Sequence, residues 1–285
     1  MGNNLIIRAT YLVITLSLFI SLRSVASAAS ADVAVPLAIG ETFVIQSAVL
    51  NEARRINIYI PPGYSENPNS KVPVIYMPDG GITEDFLHIA GLVEVLVNNG
   101  TMTQHLLVGI ENTQRRRDMT GPTENQTDKN IAPIVGGSAE FRRFIREELK
   151  PAISRRYRVT DDSSIVGESL AGLFVIETFL VDPELFNDFI AIDPSLYWND
   201  EWLVKNTGAL LASRAHRKTK LYITSSSDGN PDTVRDFVNV LAKAAPAGVI
   251  WHYESMPEEK HSTIYHPAAL KAFRKEFGTN TNINK

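Results

Sequence analysis

The sequence contains no cysteine among its 285 residues. This absence excludes disulfide bonds, thiol nucleophiles and zinc sites built from thiolates. The chain also lacks a large excess of either charge, because it has 28 Lys and Arg residues and 32 Asp and Glu residues, for a formal net charge of −4. A chain with this balance has no electrostatic footprint for nucleic acid, so nucleic acid is not an expected partner. Hydrophobic residues at 44% and aromatic residues at 8% are typical of a globular protein.

The first 28 residues differ in character from the rest of the chain. Arg8 precedes a strongly apolar run over residues 11–22, and the small residues Ala26, Ser27 and Ala28 follow it. A charged start, an apolar region and an A-x-A site predict a cleaved secretory signal peptide over residues 1–28. The apolar run is shorter than the about 20 residues of a membrane span, although an uncleaved anchor is the alternative. We therefore expect a secreted or periplasmic protein that has no membrane attachment after cleavage.

The remaining residues, 29–285, show no repeat and no Gly/Ser linker, which predicts a single domain. Residues 42–50 and 54–60 are β-rich, and the second segment alternates as a half-exposed antiparallel strand does. Six later segments are short and continuously apolar, as strands buried on both faces are: residues 72–77, 106–110, 164–166, 189–192, 221–224 and 249–253. Helical patterns lie between them, including one that we expect Ser138 to cap and Pro151 to kink or end. This order predicts an α/β fold with a mostly parallel central sheet, an antiparallel N-terminal edge and helices on both faces.

The most informative segment is residues 167–171, Gly-Glu-Ser-Leu-Ala, which is close to the pattern G-x-S-x-G. In that pattern a serine sits on a sharp turn between a buried strand and a helix, with its hydroxyl exposed as a nucleophile. The N–H of Leu170 can then face a developing oxyanion at the positive end of the helix. An ordinary turn serine is the alternative, but the strand before Ser169 and the apolar helix after it favour the catalytic role.

A nucleophilic serine needs a base, and in this architecture the base follows the serine along the chain. Four histidines do so: His216, His252, His261 and His266. His216 lies in a basic surface segment, His252 lies within a strand, and His266 suits a supporting or capping role. His261 lies between the last strand and the terminal helix, above the sheet, and is the expected base. The spacing of His261 and His266 is not that of a metal pair on a helix, so we expect neither a metal nor another cofactor.

Two carboxylates compete for the role of orienting the histidine. Asp228 follows the strand at residues 221–224, at the edge of the sheet where such folds place their chemistry. Asp232 falls in the first turn of a helix that Asn230 and Pro231 begin, where a carboxylate favours the helix dipole without any catalytic role. The sequence therefore favours Asp228 over Asp232, and a Ser-His dyad is what remains if neither acts.

A second oxyanion donor is expected in the loop after the third strand. There the buried segment at residues 74–77 ends in Pro78, Asp79, Gly80 and Gly81, a turn that lets backbone amides point inward. An ordinary Asp-Gly turn is the alternative. Residues 112–137 are polar and lack periodicity, and so long a loop in a compact domain is usually functional or mobile.

Seven segments match the pattern of a known family in the same order along the chain: residues 58–64 (IYIPPGY), 77–80 (MPDG), 108–110 (VGI), 115–120 (RRRDMT), 144–149 (FIREEL), 167–174 (GESLAGLF) and 193–198 (DPSLYW). Through these segments the chain resembles the esterase branch of the α/β-hydrolases that contains the enterochelin (ferric-siderophore) esterases and the esterase D-like enzymes. Two departures stand out. Ala171 replaces the usual second elbow glycine, and residues 225–228 (SSSD) stand where relatives often have a glycine-rich turn ending in Glu.

The resemblance implies a serine esterase that acts on a small-molecule ester and needs no cofactor. It implies that Ser169 is the nucleophile, that His261 is the base and that the amides of Gly81 and Leu170 form the oxyanion hole. It also implies a substrate pocket lined by Arg115, Arg116, Arg117, Tyr197 and Trp198.

Three hypotheses about the substrate remain open. A ferric-siderophore esterase would use the three arginines on an anionic catecholate ligand. A general or carbohydrate (acetyl or feruloyl) esterase would use the aromatic rim, and the arginines would then be a solvated surface segment. A binding protein on a catalytically retired hydrolase fold is the third hypothesis.

Overall fold

One eight-stranded sheet organises the protein in this computed structural model, which describes residues 34, 37–213 and 218–279. Nearly all of these residues belong to one structural unit, Ile39–Lys285. The predicted signal peptide and His216 lie outside the described residues. Among the residues that are described, no helix is long and apolar enough to cross a membrane.

The sheet has the strand order β1-β2-β4-β3-β5-β6-β7-β8. Its strands are β1 Gly40–Ser47, β2 Glu52–Tyr59, β3 Val72–Pro78, β4 Leu106–Ile110, β5 Val159–Glu168, β6 Asp188–Ile192, β7 Thr219–Ser225 and β8 Val249–Ser255. The pairs β1–β2 and β2–β4 are antiparallel, and every other neighbouring pair is parallel. This confirms the predicted mostly parallel sheet with an antiparallel N-terminal edge.

Helices connect the parallel strands and cover the sheet. They are α1 Phe86–Asn98, α2 Arg115–Asp118, α3 Gln126–Lys129, α4 Ser138–Phe144, α5 Lys150–Arg156, α6 Leu170–Val181, α7 Trp198–Ser213, α8 Pro231–Ala244 and α9 Tyr265–Phe277. A π-helical segment, Ile145–Leu149, joins α4 to α5. Asn199, Asp200 and Glu201, near the start of α7, have left-handed backbone angles.

Helix α6 occupies the middle of the core because all of its residues except Glu177 and Thr178 are apolar. Each of its residues from Leu170 to Leu180 is buried, as expected of a helix without a polar face. It packs against β5 and β6, and its first residue follows directly on Ser169. The burial of α6 therefore fixes the position of the turn that carries the predicted nucleophile.

The segment that begins at Ser138 differs from its prediction in two ways. Pro151 does not end the helix, which continues as α5 to Arg156. Because proline has no N–H to donate, the hydrogen-bond pattern changes in the five π-helical residues just ahead of it. Ser138 is not the cap either, since Gly137 holds that position and the Ser138 hydroxyl has no hydrogen-bond partner within the described residues.

A buried ion cluster fastens α2 to the antiparallel edge of the sheet. Arg54 on β2 is fully buried, and its Nη1 lies 2.5 Å from Oδ2 of Asp118, which is equally buried. The guanidinium also lies over the ring of Phe141, 5.2 Å from its centroid. Arg117 joins the cluster through Asp118 and Glu52. Buried ion pairs therefore fix α2, which belongs to the polar segment after β4, against β2.

We expect Asp118→Asn to destabilise the protein strongly, because it removes the fully buried partner of Arg54 and leaves that guanidinium with only Glu52, whose side chain is 19% exposed. Breaking a buried ion pair from one side costs about 3–5 kcal/mol. The matched control is Asp232→Asn, whose partner is Arg235 and whose side chain is 87% exposed. That change should stay within about 0.5 kcal/mol of the parent. Urea unfolding followed by circular dichroism measures both, and equal stabilities of the two variants would contradict the cluster's role.

Candidate active site

Ser169 stands on a strained turn between β5 and α6. Its φ of 58° lies in the left-handed region, where residues other than glycine are uncommon. The turn is held by the Ser169 N–H, which donates to the carbonyl of Ile192 at 3.0 Å. A Cβ atom on Gly167 would lie 2.7 Å from the Cβ of Ala171. Ala171 can therefore replace the usual second elbow glycine because Gly167 leaves room for its methyl group.

His261 reaches Ser169 from the loop between β8 and α9. Its Nε2 lies 3.0 Å from the Ser169 hydroxyl oxygen. On the other side of the ring, Nδ1 lies 2.6 Å from Oδ2 of Asp193. The three side chains form a continuous hydrogen-bonded line of serine, imidazole and carboxylate. Hydrolysis by a serine nucleophile requires this geometry.

Asp193 is fully buried at the end of β6, and neighbouring loops satisfy its charge. Ser226, which follows β7, donates its backbone N–H to Oδ1 at 2.9 Å and its hydroxyl to Oδ2 at 2.6 Å. Gly229 passes so close that an added Cβ would lie 1.9 Å from Oδ2. Loops that follow three adjacent strands, β6, β7 and β8, therefore meet at this carboxylate.

The structure does not place Asp228 where it could orient the imidazole of His261, so the expectation that it does so is wrong. The Asp228 carboxylate accepts the backbone N–H of His261 at 2.7 Å and does not contact the imidazole. Its side chain is 51% exposed, whereas Asp193 is buried against the ring. Asp232 lies in the first turn of α8, as predicted, and pairs with Arg235.

Asp193 was not predicted, because the sequence favoured a carboxylate in the loop after β7, and Asp193 follows β6. A signal was nevertheless present. Asp193 directly follows a continuously apolar strand, and that strand, β6, is the parallel neighbour of β5, which carries the serine. A carboxylate at the carboxyl end of the adjacent strand is within reach of the same histidine.

Charges around His261 favour its protonated form. The hydrogen bond to Asp193 raises the pKa of His261 above its usual value, and the negative charges of Glu168 and Asp228 act in the same direction. Glu168 immediately precedes Ser169, and burial raises the pKa of its carboxyl to about 7. A base with this surrounding needs a pH above the usual histidine range to be neutral.

The two expected oxyanion donors differ in their availability. Leu170 is the first residue of α6, so its N–H has no carbonyl partner within that helix. The N–H of Gly81 instead donates to Oε2 of Glu84 at 2.6 Å. The structure therefore leaves the Leu170 amide next to Ser169 and commits the Gly81 amide to a carboxylate, contrary to its predicted role.

The three arginines are not one anion clamp, as their run in the sequence had suggested. Arg115 binds the Asp79 carboxylate with two nitrogens, at 2.6 and 2.8 Å. Arg117 is engaged in the ion cluster with Asp118 described above. Arg116 alone of the three is exposed, and it donates to the carbonyl of Ile131 at 2.6 Å.

The two predicted aromatic residues, Tyr197 and Trp198, also differ in exposure. Tyr197 is half exposed, whereas Trp198 is buried and donates its indole N–H to the carbonyl of Gly121 at 2.9 Å. Trp198 lines a cavity of about 410 Å³ together with Leu173 and Glu177 of α6. Leu173 lies one helical turn from Ser169, so the cavity runs along the helix that begins at the serine.

The other histidines have structural surroundings. His252 on β8 packs against the ring of Tyr222. His266 stacks on His88. Burial lowers the pKa of His105 to about 4. Of the histidines that the structure describes, His261 is the one that contacts Ser169.

The sheet topology, the strained serine turn after β5 and the histidine after β8 define the protein as a member of the α/β-hydrolase fold class. Within that class, residues 47–277 match the family described as "Putative esterase". The chain belongs to this esterase family.

Individual relatives agree with the family. A stretch of 175 residues is 33% identical to the ferri-bacillibactin esterase BesA of Bacillus subtilis (strain 168), covering 55% of this chain and 59% of that protein. The chain therefore spans less than two thirds of the length of that curated relative. Among solved structures, an IroE-like serine hydrolase from Shewanella oneidensis is 25% identical, with a TM-score of 0.77 over 84% of this chain and 80% of that one. The siderophore hydrolase EstB from Aspergillus nidulans shares the fold at 19% identity, with a TM-score of 0.71 over 89% of this chain and all of that one.

We expect Asp193→Asn to lower the pKa of His261 substantially, because the hydrogen bond to Asp193 is the largest influence that raises it. Asp228→Asn should lower it less, since that exposed carboxylate contacts the backbone of His261 and not its ring. The measurement is an NMR titration of the His261 imidazole in the parent and both variants. A larger shift in Asp228→Asn than in Asp193→Asn would contradict the geometry described here.

Proposed function

We propose that this protein is a serine esterase that hydrolyses carboxylic esters through an acyl-enzyme, with siderophore esters as its substrate class. The observation that carries the proposal is the line of contacts from Ser169 through His261 to Asp193. Each residue comes from a different loop at the carboxyl end of the sheet. The left-handed backbone of Ser169 does not stabilise the fold, and strain of this kind is typical of functional sites.

In the first step Ser169 attacks the ester carbonyl while His261 Nε2 takes its proton. Asp193 holds the Nδ1–H, so the neutral ring presents the unprotonated Nε2 to the serine and the imidazolium that forms is stabilised. Negative charge develops on the carbonyl oxygen next to the Leu170 amide, which donates a hydrogen bond to it. His261 then returns the proton to the departing alcohol.

The second step releases the acyl group with the same residues. Water takes the place of the alcohol, His261 removes a proton from it, and the hydroxide adds to the acyl carbonyl. Collapse of this intermediate breaks the bond to Ser169, which regains its proton from His261. These side chains suffice for the whole reaction, so the proposal includes no cofactor.

The substrate class rests on the relatives. The relative with 33% identity is named a ferri-bacillibactin esterase, and the IroE-like serine hydrolase has the same fold over most of both chains. The predicted arginine clamp adds little, because Arg115 and Arg117 are already paired with carboxylates. Arg116 is the arginine of the run that can approach an anionic ligand without breaking an ion pair.

A general or carbohydrate (acetyl or feruloyl) esterase is the second candidate. The observation in its favour is the exposed aromatic pair Tyr197 and Trp202, at 49% and 44% exposure, near the start of α7. Aromatic rings at a cleft edge suit sugar or phenolic groups. We further propose that the protein is exported, since residues 1–28 have the composition of a secretory signal.

We expect Ser169→Ala to lose at least about four orders of magnitude in kcat on p-nitrophenyl acetate, because removing the nucleophile disables the whole triad. The matched control is Ser262→Ala, an exposed serine next to His261, which should retain the activity of the parent. Thermal unfolding of both variants verifies that they are folded. Substantial turnover by folded Ser169→Ala would contradict the serine mechanism.

The same assay distinguishes the substrates. The parent is compared on a ferric tri-catecholate trilactone, a ferric hydroxamate ester, p-nitrophenyl acetate and a feruloyl ester. A kcat/KM that is highest for an iron complex supports the siderophore ester. A preference for the feruloyl ester selects the second candidate, and a folded parent that hydrolyses none of them would be a binding protein on a retired hydrolase fold.

A further inference from the structure

A second carboxylate approaches the catalytic histidine from the end of β5, the strand that leads into the serine turn. Glu168 is the last residue of β5, and its Oε1 lies 3.3 Å from Nε2 of His261. The same nitrogen lies 3.0 Å from the hydroxyl oxygen of Ser169. The Glu168 side chain is 16% exposed, so water screens this contact only in part. Nε2 therefore has two neighbours, of which only the serine is needed for the reaction proposed above.

We propose that Glu168 is a positioning residue for His261, which stabilises the imidazolium formed during attack by Ser169 and withholds the base from the serine at low pH. The inference rests on the proposed function, since it assigns Glu168 a part in the same proton transfer. It adds a fourth side chain to the triad.

The stabilising effect follows from where the charge appears. Before attack, neutral His261 donates Nδ1–H to Asp193, and the lone pair of Nε2 accepts the Ser169 proton. After the transfer, Nε2–H points toward a region that holds Glu168 as well as Ser169. The imidazolium then has one carboxylate at each ring nitrogen. An interaction that is stronger in the transition state than in the ground state accelerates the reaction.

The inhibitory effect follows from the same contact at lower pH. A single proton shared by Glu168 and His261 gives either a carboxylate facing an imidazolium or a carboxylic acid that donates to Nε2. In both arrangements the Nε2 lone pair is occupied, and Ser169 has no base. Only when both groups have lost this proton can the serine be activated. Groups in such close contact titrate as a pair and not singly.

The pKa shifts agree with this coupling. Burial raises the pKa of Glu168 to about 7, while the positive charges of His261 and Arg115 oppose that rise. The negative charge of Glu168 is in turn one of the influences that raise the pKa of His261. A carboxyl whose pKa is raised to about 7 and an imidazole whose pKa is also raised are therefore in contact at the nucleophile.

Other titratable groups act on this pair from several elements of the fold. The positive charge of Arg115 on α2 lowers the pKa of Glu168, and Asp79 after β3 binds the Arg115 guanidinium. The negative charges of Asp85, ahead of α1, and of Asp193 raise the pKa of Glu168. On the His261 side, Asp228 adds a further negative charge from the loop after β7. Tyr265 of α9 is also buried, and burial raises its pKa well above the usual value for tyrosine, so it stays uncharged.

The test is Glu168→Gln, which keeps the size of the side chain and removes its charge. Two effects of opposite sign are expected. At high pH, kcat on p-nitrophenyl acetate should fall by about one order of magnitude, because the imidazolium has lost one carboxylate. At low pH the variant should keep a larger fraction of its maximal activity than the parent does, since the pKa of His261 falls by about one unit when a nearby opposite charge is removed. The acid limb of kcat/KM should therefore move to lower pH by about one unit.

An NMR titration of His261 in the same variant gives a readout that does not depend on turnover. Its midpoint should fall in Glu168→Gln by more than in Asp228→Asn, the matched control that removes an exposed carboxylate from the backbone side of His261. Glu168→Asp, which keeps the charge on a shorter side chain, should lie between Glu168→Gln and the parent. It also serves as the test if Glu168→Gln does not fold.

The outcomes separate this inference from the proposed function. An unchanged His261 midpoint in Glu168→Gln overturns the inference, as does a loss of kcat/KM that is equal at all pH values. The second result would mean that Glu168 merely supports the loop. A parent that hydrolyses no ester overturns the proposed function instead, while the titration still decides whether Glu168 and His261 are coupled.

Discussion

The charge of Asp193 is the constraint on which the site depends. A fully buried carboxylate is strongly unfavourable unless hydrogen bonds and an opposite charge satisfy it. Asp193 meets this requirement through the backbone and hydroxyl of Ser226 and the imidazole of His261. Gly229 must lack a side chain for the loop after β7 to close over it. The loops after β6, β7 and β8 are thus held together by one carboxylate, and the histidine is fixed in orientation as a consequence.

The serine turn depends on the same strand from the other side. The Ser169 N–H donates to the carbonyl of Ile192, the residue that precedes Asp193, and the Ser195 N–H donates to the carbonyl of Ser169. These bonds hold Ser169 in a left-handed conformation that would otherwise be unfavourable. The end of β6 therefore positions the nucleophile through its backbone and the histidine through its aspartate. Displacing this strand end would disturb both at once.

The sequence predicted what is encoded locally and failed where contacts are made across the fold. Continuous apolar segments predicted the parallel strands, because burial on both faces leaves that pattern in the residues themselves. Ser169 and His261 could be proposed from the elbow pattern and from their order in the chain. The contact of Asp193 with His261 spans 68 residues and has no local pattern. The arginine run showed its charge but not its partners, since Asp79 and Glu52 lie far from it along the chain. The Gly81 amide is a different case, because its partner is local: the Glu84 side chain, three residues later, takes its hydrogen bond.

Labelling with a fluorophosphonate tests whether Ser169 is an activated nucleophile. The folded parent is incubated with the reagent, its intact mass is measured, and the modified peptide is sequenced by tandem mass spectrometry. We expect one adduct per chain, located on Ser169, that forms rapidly in the parent. It should form very slowly in Asp193→Asn, whose histidine is no longer held in the required tautomer. An unmodified Ser169 in folded protein, or an adduct on another residue at the same rate, would contradict this expectation.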